Sequence, residues 1–122
     1  MVNISLDTSA LDDLDKYPSR LTNAIRAEMQ RQMDETISYA KVHHRHETRT
    51  GRLNDAIAGK VDQDGLGAEI YFDSSKYGSK YAKYVHDGHR GWAPDRFLDE
   101  AVQDRENDIQ TGFDRAVQEA LK

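Results

Sequence analysis

The sequence predicts an α+β fold: a small antiparallel sheet of about four strands packed with two long helices and a short middle helix. Three observations predict it. Apolar residues recur at helical spacing over about 25 positions from Pro18 and over about 28 positions from Pro94. Between these stretches, short runs alternate with period two and are punctuated by turn residues. The chain is 122 residues long, enough for one domain with a modest core, and shows no repeat, low-complexity tract or linker.

Taken in order, "VNISLD" alternates Val2, Ile4 and Leu6 with polar residues and reads as a strand with one buried face. Thr8 or Ser9 then caps a brief turn through Leu11 and Leu14. Pro18 suits a first helical turn. Leu21, Ile25, Met29, Met33, Ile37 and Ala40 follow as one stripe, with Arg20, Asn23, Arg31, Asp34 and Glu35 opposite. "HHRHETRT" has no apolar residue, so residues 43–52 are expected to form a flexible basic loop. In "TGRLNDAIAG", Thr50 is a candidate N-cap, Leu53, Ala56 and Ile57 a small apolar face, and Gly59 the stop.

"KVDQDGLGAEIYFD" predicts a hairpin turning at Asp64-Gly65, with Ala68, Ile70 and Phe72 alternating on the return. "YGSKYAKYVHDG" predicts a last, tyrosine-rich strand ended by Gly88. Alternation would put Tyr81, Lys83 and Val85 on one face, and Ala82, Tyr84 and His86 on the other. The final helix carries Phe97, Leu98, Ala101, Val102, Ile109, Phe113, Ala116, Val117, Ala120 and Leu121 on its buried stripe, with a bend expected near Gly112.

Hydrophobic residues make up 37% and charged residues 32%, too apolar for disorder yet polar for a monomer of this size. A thin core with long charged helices points to stability drawn partly from assembly with other copies. The absence of cysteine excludes disulfides, thiolate metal sites and cysteine nucleophiles. "MVNISLDTSA" has neither the basic start nor the apolar run of a signal peptide, and no stretch reaches the roughly 20 apolar residues of a membrane span. A soluble protein made in the cytoplasm is expected.

Net charge is −5, but it is segregated. Residues 40–52 hold Lys41, Arg45, Arg49 and Arg52 against Glu47, and residues 76–90 hold Lys76, Lys80, Lys83 and Arg90 against Asp87. The rest is acidic, with eight carboxylates from Asp95 to Glu119. One reading is solvated faces; the other is a surface that docks on the acidic face of another copy, or on a polyanion.

Three kinds of site compete with plain structural roles for these residues. His43, His44, His46, His86 and His89 would favour Zn²⁺ or Ni²⁺ if they converged, but the spacing gives them no common face and no evident supporting carboxylate. No metal or cofactor is expected. His86 and Asp87, as neighbours on a strand, would point to opposite faces and form no acid–base pair. No serine stands in a nucleophile elbow and no glycine loop cradles phosphate, so a non-catalytic protein is expected. Tyr77, Tyr81 and Tyr84, interleaved with lysines over residues 76–84, would either stack bases beside phosphates or guard a sheet edge.

Two stretches carry a resemblance. "TRTGRLNDAI" precedes the hairpin, and "YAKYVHDGHRGWAPDRFLDEAV" joins a tyrosine-rich segment to a proline-initiated helix. Together they resemble the tail-completion proteins of tailed bacteriophages, also called head–tail joining or minor tail morphogenesis proteins. The matching positions are Thr50, Gly51, Leu53 and Ile57, then Tyr81, Ala82, Tyr84, Val85, Gly88, Pro94, Phe97 and Leu98. Where that family often has a glutamate and an aromatic before the turn glycine, this chain has His86 and Asp87, followed by a longer loop holding Trp92.

The resemblance implies a structural virion protein of the phage neck. Copies would form a ring, expected to be a hexamer, at the head-proximal end of the tail. Its partners would be the head connector or stopper and the tail-tube or tail-terminator proteins, with DNA passing transiently through the channel. Assembly would take place in the host bacterial cytoplasm, with no membrane involved. Candidate contact residues are Arg45, Arg49, Arg52, Lys80, Lys83, His86, Asp87, His89, Arg90 and Trp92. Gly51, Leu53, Gly88, Pro94, Phe97 and Leu98 are expected to shape turns and helix starts. Two other readings compete: a small His-rich metal-dependent enzyme, and a nucleic-acid-binding module built on the tyrosine and lysine run.

Overall fold

In the computed structural model, residues 2–5, 19–43, 52–63, 65, 67–76, 79–88 and 95–121 are described. The expected turn through Leu11 and Leu14, the helix-starting roles of Pro18 and Pro94, the caps at Thr8, Ser9 and Thr50, and the basic loop at 44–51 lie outside them. The order is β1 (Val2–Ser5), α1 (Ser19–Val42), α2 (Arg52–Asp55), β2 (Ile57–Val61), β3 (Gly67–Phe72), α3 (Ser79–Asp87), α4 (Phe97–Asp104) and α5 (Glu106–Ala120).

The class is α+β, but the sheet has three strands among the described residues, in the order β1-β3-β2, all antiparallel. The expected fourth strand is a helix. Among the described side chains of α3 the buried ones are Ala82, Val85 and His86, at i, i+3 and i+4. That spacing forms one helical stripe, whereas alternation would have separated Val85 from Ala82 and His86. The short middle helix is also cut back. It ends at Asp55, and Ile57 opens β2 opposite Phe72. Gly59, expected as a helix stop, is mid-strand. A Cβ there would lie 2.8 Å from Met33 Sδ and 3.0 Å from Ile37 Cδ1, so the missing side chain lets α1 lie directly across the sheet.

Helix α1 follows its sequence stripe closely. Leu21, Ile25, Met29, Met33 and Ala40 are buried, Ile37 is half-buried, and the charged residues opposite are exposed. The core joins this stripe to Val2 and Ile4 of β1, Ala68 and Ile70 of β3, and Phe97, Leu98, Ala101 and Phe113 beyond. Each large side chain withdrawn from water contributes about 1.5–3 kcal/mol.

The last helix is broken at Arg105 rather than bent at Gly112. Arg105 has φ −95° and ψ 5°, and its neighbours still close the helical ladder around it. Its guanidinium fills the six-residue gap between Val102 and Ile109 in the apolar stripe. It is buried against α1 and donates to Gln32 O (3.2 Å), Thr36 Oγ1 (2.8 Å), Gln32 Oε1 (2.9 Å) and Glu35 Oε2 (2.9 Å). Gln32 in turn donates to Glu28, at 2.8 Å, and Thr36 donates to Gln32 O at 2.7 Å. Gly112 lies straight within α5, where any Cβ would overlap Gln32 Nε2, so glycine serves close approach of the two helices.

Candidate functional site

The crossing from α3 to α4 is the region the sequence singled out, and the structure divides its residues. Gly88 ends α3 with φ 84°, a left-handed conformation that favours glycine, and its N–H donates to Tyr84 O. Asp95 then returns to α3 through its N–H to Val85 O, at 2.9 Å. Phe97 and Leu98 are fully buried at the start of α4, as expected of a helix start anchored on the core. Asp99 and Glu100 in the first turn complement the helix dipole.

His86 is corrected from contact residue to core residue, since it is only 1% exposed. Its ring meets Phe72 and Phe97 edge-on, at centroid distances of 5.7 and 5.4 Å. The expectation that His86 and Asp87 could not pair also fails. At the end of a helix rather than along a strand, Nδ1–H reaches the Asp87 carboxylate at 2.9 Å. Nε2 is buried without a hydrogen-bond partner. A carboxylate-oriented imidazole is the arrangement that general-base chemistry uses. Here the free nitrogen is enclosed in the core beside Phe72 and Phe97.

The other candidates distribute as follows. Lys83 and Asp87 are exposed on the outer side of α3. Lys80 lies in the first turn of α3, Arg52 opens α2 and Leu53 lies within it. Arg45, Arg49, Gly51, His89, Arg90, Trp92 and Pro94 lie outside the described residues. His43, placed in the loop by the sequence, stacks on Tyr39 at 3.8 Å with rings 6° from parallel. Among the described residues no group of three or more histidines and carboxylates is placed to hold a metal ion, and no helix is long and apolar enough to cross a membrane. Residues 79–84 of the tyrosine and lysine run lie in helix α3, so neither the stacking face nor the guarded strand edge that alternation offered forms there.

Sequence reasoning missed a groove of about 430 Å³ between β1 and the α4–α5 pair. Val2, Ile4, Val102 and Ile109 provide its apolar surface, and Asp99 and Glu106 stand among its polar lining. One wall is the edge of the sheet, because among the described residues β1 pairs with β3 on one side only. The available signal was Val102 and Ile109, which are only half-buried at the margin of the helical stripe.

No known protein family, curated protein or solved structure matches this chain.

Proposed function

We propose that the chain is a non-catalytic structural subunit of a tailed-phage neck, forming a ring at the head-proximal end of the tail and joining it to the head. The observation that carries this reading is the coherence of the resembling residues at one junction. Ala82 and Val85 are buried on α3, Gly88 supplies the left-handed turn, and Phe97 and Leu98 seat α4 on the core. Residues that form a motif in sequence therefore share one mechanical task, which is to seat α3 and α4 against the core. Segregated charge supports the same reading, since a ring subunit needs two different complementary surfaces.

On this reading the partners are further copies in a hexameric ring, the head connector or stopper, and the tail-tube or tail-terminator protein. DNA contact is confined to the channel, and the site of action is the virion. The test is in vitro joining. Heads and tails from a phage lacking this gene are mixed with the purified protein and counted by negative-stain microscopy. Joined particles should appear only when the protein is added. Efficient joining without it would refute the reading. The His86–Asp87 pair keeps an enzymatic alternative in view; full joining activity in a His86→Gln variant that folds normally would remove it.

A further inference from the structure

We propose that the C-terminal end of α1 from one copy docks, Val42 first, into the groove between β1 and α4–α5 of a second copy. Val42 is 73% exposed at the last position of α1, and the other exposed large apolar side chain among the described residues, Leu121, is 51% exposed. Val42 is also held in place. Tyr39 and His43 stack beside it, Tyr39 O–H donates to Asp104 at 2.9 Å, and Asn54 donates to Lys41 O at 3.2 Å. An apolar knob on an ordered helix end loses little freedom on binding.

The groove offers what such a knob needs. Val102 and Ile109 are half-buried within it, and the outer edge of β1 is an unpaired strand edge among the described residues. Charge selects the occupant. Asp99 and Glu106 line the groove, and Lys41 precedes Val42. The sequence after it carries Arg45, Arg49 and Arg52 against Glu47. The chain's other flanking stretch, residues 6–18, holds Asp7, Asp12, Asp13 and Asp15 against Lys16, so the same acidic lining repels it.

Knob and groove are different patches of one molecule, so the contact is head-to-tail. Such contacts repeat into a ring or a filament. The inference rests on the ring reading for its biological setting, but the contact is tested with purified protein alone.

Light scattering across concentration should show self-association at about 0.05 M salt that weakens at about 0.5 M. Val42→Asp and Glu106→Lys, both at exposed positions, should melt like the wild type and associate roughly tenfold more weakly. Mixed together, the two variants retain one intact groove and one intact knob, so they should form a complex that stops at two chains. Because the chain has no cysteine, a Val42→Cys/Ile109→Cys variant should give a ladder of intermolecular disulfides under mild oxidation, and neither single variant should. A strictly monomeric wild type would overturn the proposal. So would variants that associate as tightly as wild type, a mixture no stronger than its components, or a double-cysteine variant without intermolecular bonds. If these tests fail while head–tail joining succeeds, only this contact falls and the neck reading stands.

Discussion

Replacing Arg105 with alanine should be among the most destabilising single changes in the protein. The guanidinium is buried at the break between α4 and α5 and donates to four acceptors on α1. Their fates differ when it is removed. Gln32 O and Thr36 Oγ1 keep each other, because the Thr36 hydroxyl already donates to that carbonyl. Glu35 is 47% exposed and keeps Arg31 at 2.7 Å, so water and that partner limit its loss to under about 1 kcal/mol. Gln32 Oε1 is left buried without a donor, at about 1–3 kcal/mol. The lost arginine stem, with the void it leaves, adds about 1–2 kcal/mol. The sum is about 2–6 kcal/mol, a large share of the roughly 5–15 kcal/mol that holds a domain folded.

Urea unfolding followed by circular dichroism measures this directly, with an unchanged m-value expected alongside the lower midpoint. Arg105→Lys should recover only part of the loss, because an ammonium cannot fork between Gln32 and Thr36. Glu35→Gln should stay within about 1 kcal/mol of wild type. If Arg105→Ala cost less than about 1 kcal/mol, the network would not be holding the two helical layers together and the reasoning would be refuted.

Three further outcomes can be checked by melting curves. Gly59→Ala should cost about 1–3 kcal/mol, because its Cβ would press on Met33 and Ile37, and a Met33→Ala background should reduce that cost measurably. Gly88→Ala should cost about 1 kcal/mol through its left-handed φ of 84°, while Gly88→Asn costs less. Burial pushes the Glu28 carboxyl up, but hydrogen bonds from Arg31 and Gln32 and the charges of Arg31 and Arg115 outweigh it and hold it below 4.5, its ordinary value. A depressed folded value gives stability that is present above about pH 4.5 and lost as pH falls through the folded value. Glu28→Gln should therefore flatten the acid limb of the stability curve and leave the rest of its shape unchanged; an identical acid limb would count against this assignment.

Helix α1 was legible because its apolar residues recur over six turns, long enough for one period to dominate. The segment 79–87 was not. Tyrosine and valine favour strands, and over nine residues both periods fit the letters. The buried set Ala82, Val85 and His86 decides for helix, but the sequence reading treated His86 as a polar surface residue. Similarly, Gln32, Thr36 and Arg105 occupy positions on apolar stripes, and their burial was invisible while polar letters were read as solvent-facing. The pairing of β1 with β3 depends on register across distant segments, which no local pattern carries. At the candidate site, the anchoring role of Gly88, Phe97 and Leu98 was readable from turn and helix-start chemistry. The groove was not, because it is made by a strand and a helix pair nearly a hundred residues apart.

The position of β1 also sets an order of events. The β2–β3 hairpin is local, whereas β1 joins residues 2–5 to residues 67–70. The entropic cost of closing that loop falls on a four-residue strand held by one ladder. In hydrogen-exchange terms, β1 should open more readily than β3, which is paired on both sides, and its amides should report a smaller opening energy. Since β1 also walls the groove, whatever fills the groove must close this opening too. Occupancy would then be recorded as slowed exchange at Val2–Ser5, far along the chain from α4 and α5 that line its other side.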